Sequence, residues 1–185
     1  MAAPKALWFT TDEEACRLLA EDPFALLVGF ALDQQVTVPT AFAGPQKIKQ
    51  RLGTLDPATV ARTDLVEVFK QKPAVHRFPG AMAARVQELA QHVVDEYGGD
   101  ASKLWREAKD SDDLRRRLAA LPGFGEMKIK SMGAVLSKQF GVTAAAPLAP
   151  DHPTLGDVDS PAKLDEYQSW KREYKRAGRA RKAAS

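Results

Sequence analysis

Between residues 121 and 130 the chain reads LPGFGEMKIK. Pro122 halts whatever helix precedes it. Gly123 and Gly125 tolerate a left-handed backbone and carry no Cβ, so another molecule can come close to the main chain. Phe124, large and apolar between them, is expected to anchor the turn in the core. A helix starting at Glu126 presents amides that have no acceptor inside the helix, at the positive end of its dipole. Lys128 and Lys130 fall in its first turns and can add charge. Free N–H donors, a helix dipole and an unobstructed backbone together make a small anion site, and a phosphate is the anion that geometry suits. The bland alternative is a tight joint between two helices that uses glycine for geometry alone.

Such a turn must be carried by helices, and helical signals run through the chain. Thr11 with Glu14 reads as a capping box before ACRLLAE. DPFALLVGFALDQQ (22–35) opens on Asp-Pro and is nearly all apolar, the pattern of a helix buried on every side. VPTAFAGPQKIKQRLG (38–53) is amphipathic and stops at Gly53, with Gly44-Pro45 marking a kink or a division into two helices. DPATVART repeats the Asp-Pro start, and LVEVFKQKP stops at Pro73. In residues 79–100, Val86, Leu89, Ala90, Val93, Val94 and Tyr97 recur at helical spacing. SDDLRRRLAALPG leads into the glycine turn, and EMKIKSMGAVLSKQFG out of it. No segment alternates as a strand does. The expected fold is all-α, a compact bundle of short helices over residues 1–142. A proline-rich loop (143–161) and a last helix with a basic tail (162–185) follow, with Ser160 as N-cap and Pro161 at its start. The end, AGRARKAAS, is expected to fray.

Composition removes several function classes. The 185 residues are 44% hydrophobic and 28% charged, as in ordinary globular proteins. A single cysteine, Cys16, excludes an internal disulfide and a four-cysteine cluster, and reads as an inert buried thiol. The three histidines are scattered without metal-ligand spacing. No apolar run is long enough to span a bilayer and the start has no signal-peptide shape, so the expectation is a cytoplasmic protein without a membrane partner. Net charge is +3, yet the stretch from Lys171 onward holds seven basic residues against Glu173, a charge of +6 that leaves residues 1–170 at about −3. That tail is either a solubilising end or an arm attracted to phosphates.

The helix, Leu-Pro-Gly-Phe-Gly, helix succession with lysines after it resembles the helix–hairpin–helix motif, which grips a DNA backbone without reading sequence. Upstream, residues 25–53 are similar to the first core helices of the helix–hairpin–helix base-excision glycosylase superfamily, to which endonuclease III belongs. The Gln-x-Thr element of that family matches Gln35-Val36-Thr37, and residues 78–100 resemble its next long helix. Order and spacing agree over residues 23–142, and the assembly looks like a group of short bacterial members. The resemblance implies a monomeric, nucleoid-associated repair enzyme of the cytoplasm, acting on double-stranded DNA with a damaged or mismatched base and hydrolysing its N-glycosidic bond. The alternative is a non-catalytic protein that binds damaged or structured DNA through the same turn, and a third class is a protein-interaction scaffold.

On this resemblance Gln35 would enter the duplex in place of the extruded base, beside Thr37. Gly123, Phe124 and Gly125 with Lys128 and Lys130 would hold a backbone phosphate, and Arg77 could face the DNA. A carboxylate beyond the motif helix would stabilise the developing sugar cation. Asp151, followed by His152, is the candidate, with Asp157 and Asp159 as rivals. Asp151 could equally form a turn and Asp159 a helix cap. Where lyase-active members place their lysine this chain has Met127. Lys128 lies one residue further, about 100° around a helix, so a monofunctional glycosylase is expected. The missing cysteines rule out that family's iron–sulfur cluster. No metal is expected, although backbone carbonyls at the turn could hold a monovalent cation. Phe78 reads as a packing plug, His92 as a surface or hydrogen-bonded histidine, and Trp8 and Trp105 as core. Trp170 could pack the last helix onto the body.

Overall fold

Proline sets the start of many of the helices. In the computed structural model, which describes residues 3–185, every regular element is helical. Helix α1 spans Glu13–Glu21, α2 Pro23–Leu32, α3 Val38–Leu52, α4 Pro57–Arg62 and α5 Val66–Lys70. They are followed by α6 Pro79–Tyr97, α7 Lys103–Arg106, α8 Ser111–Ala119, α9 Glu126–Phe140 and α10 Pro161–Ala184. The Asp-Pro starts work as expected. The Asp22 carboxylate accepts from the Phe24 amide at 2.9 Å, and Asp56 accepts from Thr59 at 3.0 Å. In each case the next residue is a proline, whose absent N–H costs nothing in the first turn. At α1 the cap is Asp12, not Thr11. Its carboxylate takes the amides of Glu14 and Ala15 at 2.9 and 3.2 Å, a stronger acceptor than a threonine hydroxyl for the same orphan donors.

Helix α2 is the axis of the core. All of its residues except Pro23 are buried, against α1, α3 and α6. Phe42 of α3 meets Phe9 and Phe30 edge-to-face, with ring centroids 5.1 and 5.2 Å apart. Pro45 does not divide α3. It is buried within α3, where packing offsets the missing backbone bond. A tight seam lies at Gly29, where an added Cβ would overlap the fully buried Phe42 ring. Gly29→Ala is therefore expected to lower stability by about 1–3 kcal/mol, the usual cost of overpacking, read as a fall in the thermal midpoint.

The proline-rich segment is not a free loop. Its two 3-10 turns, Thr143–Leu148 and Leu155–Asp157, pack on α9. Gln139 donates to the carbonyls of Gly156 and Val158, both at 3.1 Å, and Lys138 to Asp157 at 2.6 Å. Helix α10 leans on this platform through buried Leu164 and half-buried Tyr167 and Trp170. It then continues as a helix to Ala184, where fraying was expected, with most residues beyond Lys171 exposed. Three single-residue expectations change. Phe78 is 40% exposed, with the Arg77 guanidinium 4.9 Å above its ring, because it precedes α6 at the surface rather than beneath it. The Nε2 of His92 is buried without a hydrogen-bond partner, the ring packing edge-on to Tyr97 at 6.2 Å. Trp105 is core, whereas Trp8 is half-buried.

Candidate nucleic-acid interface

The glycine turn stands open on the surface. Leu121 donates to Leu118 at 3.1 Å and Phe124 to Leu121 at 3.2 Å, which folds the chain back over Phe124, buried as the anchor. Gly123 has φ +78°, a left-handed conformation that disfavours any side chain. Gly125 is the N-cap of α9 and supplies no side-chain acceptor. Among the described residues, the amides of Gly123, Gly125, Glu126 and Met127 donate to no backbone carbonyl, and all four residues are exposed.

Three basic side chains belong to this region, each with a different partner. Arg85 of α6 lies against Gly123, where a Cβ would overlap its guanidinium. Lys128 turns inward. Its ammonium donates to the Ala31 carbonyl at 3.3 Å, near the end of α2, and lies 5.8 Å from the Phe124 ring centroid. Burial pushes its pKa down, and the carboxylate of Asp33 pulls it back up. Lys130 is exposed and shares Glu126, at 4.0 Å, with Arg115. A carboxylate thus stands at the first position of α9, neutralised by two basic side chains.

The end of α2 forms the second part. Asp33 closes the helix, and Gln35 sits exposed beyond it at φ +57°, an uncommon conformation for a residue with a side chain. His76 holds this bend. Its Nδ1 accepts from the Phe78 amide at 3.0 Å, so the proton is on Nε2, which faces the carbonyls of Leu32 and Gln34 at 3.1 and 3.0 Å. Thr37 caps α3, accepting from the Thr40 amide at 3.4 Å. Arg77 is exposed beside Phe78.

Burial pushes the His76 pKa below its ordinary 6.5, and only the neutral ring can accept from Phe78. A base depressed in the folded state contributes its full stability above 6.5 and loses it as pH falls, because the unfolded chain takes up the proton first. The expected outcome is a thermal midpoint that drops from pH 6.5 downward. In His76→Gln that pH dependence is smaller.

Asp33 is the carboxylate that the sequence left unremarked. Its side chain is 16% exposed, and its nearest cation is the Lys171 ammonium of α10 at 4.0 Å. Burial pushes its pKa up, against the pull of Lys171, Lys128 and Lys175. It therefore lies where the end of α2, the first turn of α9 and the middle of α10 converge. None of the three aspartates expected from sequence lines the cleft that holds Gln35 and Thr37. Asp151 is exposed and lines a cleft with Lys138, Asp157 and Glu166, whereas Gln35 and Thr37 line another with Lys171 and Lys175. Asp157 accepts from the Thr154 amide at 2.9 Å and from Lys138, which ties down the second 3-10 turn. Asp159 is exposed, next to the N-cap Ser160.

A third cleft of about 540 Å³ lies between the start of α9 and α10. Met127, Lys130 and His152 line it together with Trp170 and Tyr174, and it shares Lys171 and Lys175 with the Gln35 cleft. Among the described residues no group of three His, Cys, Asp or Glu side chains comes together in a metal-binding cluster. None of the helices there is long and apolar enough to cross a membrane.

Fold and site together define an all-α protein with an open glycine turn at a helix N-terminus and a cationic surface beside a half-buried aspartate. Comparison with protein-family models, with curated proteins and with solved structures returned no match.

Proposed function

We propose that the chain binds double-stranded DNA through the α8–α9 turn and excises a damaged or mismatched base as a monofunctional N-glycosylase. The observation that carries this reading is the set of exposed, unpartnered amides at Gly123 and Gly125, with Arg85 beside them. Four donors at the positive end of a 15-residue helix bind one phosphate oxygen set, a contact that holds the backbone without reading sequence. Gln35 supports a role at the opened base pair. It is exposed at the tip of a bend, and its left-handed backbone is held by His76 from behind. Its amide would occupy the space of the extruded base and compensate for lost stacking.

Asp33 is the carboxylate best placed for the chemistry, in preference to Asp151. It flanks Gln35 and faces the helix that would hold the phosphate. In the proposed step the C1′–N bond breaks and its electron pair leaves with the base, which takes a proton from solvent. The ionised Asp33 stabilises the positive sugar, then orients a water whose oxygen bonds C1′ and whose proton passes to the carboxylate. No lysine replaces that water. Met127 stands where lyase-active members of the resembling family carry their amine, and the Lys128 ammonium is engaged with Ala31.

The test is incubation with duplexes carrying uracil, alkylated, oxidised or mismatched bases, with abasic sites read by alkaline strand cleavage. Release of one class of base supports the glycosylase. Duplex binding with no release from any substrate leaves the non-catalytic DNA-binding protein. Absence of duplex binding at low salt removes both.

A further inference from the structure

We propose that the cleft between the start of α9 and α10 binds single-stranded DNA, stacking an unpaired base on Tyr174 while the basic face of α10 holds the flanking phosphates. Tyr167, Trp170 and Tyr174 fall at helical spacing on one stripe of α10. Tyr167 and Trp170 stack at 6.0 Å, and Trp170 and Tyr174 at 5.1 Å with 25° between the planes. His152, from the proline-rich segment, lies on Trp170 at 5.5 Å and 20°.

The inner rungs explain how α10 docks on the body. The outer rung does not serve that purpose, since Tyr174 is 49% exposed. Three large hydrophobic side chains are conspicuously exposed among the described residues, and two of them, Tyr174 and Met127 at 79%, line this one cleft. Four residues past Tyr174 on the same stripe stands Gly178. A Cβ there would meet nothing within 4 Å, so the end of the ladder is left uncovered. A glycine inside a helix costs about 1 kcal/mol relative to alanine, and no packing in this structure calls for one here.

Charge selects the occupant. Lys130, Lys171, Lys175, Arg179 and Lys182 border the cleft, and its single acid, Glu126, is already paired with Arg115. A polyanion carrying flat apolar faces fits both features, which is how single-strand binders combine a cationic groove with stacking rings. Paired bases are stacked on each other and do not offer a face to Tyr174, so the ligand is a single strand. The inference goes beyond the excision reading and does not require it.

The experiment titrates the protein with an oligothymidylate of roughly 12 nucleotides, within the site sizes of such proteins, following tryptophan fluorescence and anisotropy over a range of salt. Salt-dependent binding with quenching is expected. Tyr174→Ala should weaken it about 10-fold and Tyr174→Phe should preserve it, as a single stacking contact requires. Gly178→Leu, which covers the ring and favours the helix, should weaken it too. Its circular dichroism shows that the loss is not unfolding. The inference is overturned if oligothymidylate does not bind at low salt, or if Tyr174→Ala and Gly178→Leu both bind like the parent. Equal quenching by heparin would also overturn it, because charge alone then suffices. Loss of base excision with oligothymidylate binding intact overturns only the glycosylase reading, and the converse overturns only this one.

Discussion

Asp33→Asn is expected to abolish most base excision, by about 10²–10³-fold in single-turnover rate, while duplex affinity stays close to that of the parent and the thermal midpoint rises. The rate effect follows from charge. Asn is nearly isosteric but cannot balance a sugar cation or accept the proton of the attacking water. Unchanged affinity follows from position, because Asp33 is largely buried behind the exposed Gln35 and contributes no donor to a phosphate. The stability effect follows from linkage. The carboxyl group is pushed up by burial, so the ionised form is disfavoured in the folded chain despite the three lysines nearby. A group of that kind weakens the fold at neutral pH and stops doing so as the medium is acidified and the carboxyl protonates. A neutral side chain removes the penalty at every pH. Gain of stability with loss of activity is the pattern of a residue kept for function. The excision rate of the parent should also fall on the acid side at a pH above the ordinary carboxylate range. If Asp33→Asn keeps its rate while Asp151→Asn loses it, the catalytic carboxylate is the one expected from sequence and the assignment to Asp33 is wrong.

The second large effect separates two glycines that look equivalent in LPGFG. Gly125→Ala is expected to leave the thermal midpoint unchanged or slightly raised, and to weaken duplex binding by about 10- to 100-fold, the worth of hydrogen bonds to a charged group. Its φ of −92° suits an L-residue and an added Cβ meets nothing within 4 Å, so the fold has no objection to alanine. Only a ligand approaching the backbone would meet the methyl group. Gly123→Ala differs, because φ +78° strains any side chain and Arg85 occupies the space. Left-handed strain of about 1–2 kcal/mol, with displacement of Arg85, should lower the midpoint by roughly 2–8 °C for a chain of this size. Its affinity should fall as well. Filter binding of duplex DNA at several salt concentrations, beside thermal melts, reads both. If Gly125→Ala binds duplex like the parent, the glycine turn is a joint between helices and the phosphate reading fails.

Local rules account for much of this molecule. Asp22-Pro23 and Asp56-Pro57 start helices because a carboxylate and an imide each solve the problem of orphan amides within three residues. The apolar run after Pro23 is buried on all sides because no orientation of that helix exposes a polar stripe. The shape of LPGFG, with Phe124 inside and both glycines outside, is likewise set by neighbours in sequence. Where several local solutions competed, packing decided. Pro45 permitted one helix or two, and its burial goes with one.

The residues of the candidate site divide along the same line. Sequence alone determined that the chain is helical, that α9 begins on a bare glycine turn, and that Gln35 follows the buried helix. Each of these depends on interactions within a few residues. The tertiary structure alone decided that Arg85 lies on Gly123, that Lys128 reaches Ala31, and that Lys171 of α10 comes beside Asp33. It also placed the aromatic stripe of α10 against His152. Lys128 and Ala31 are 97 residues apart, and Asp33 gains its lysines from two other helices. A charge acquires its partners and its desolvation from whatever the fold brings beside it, and short-range pattern carries no record of that distance.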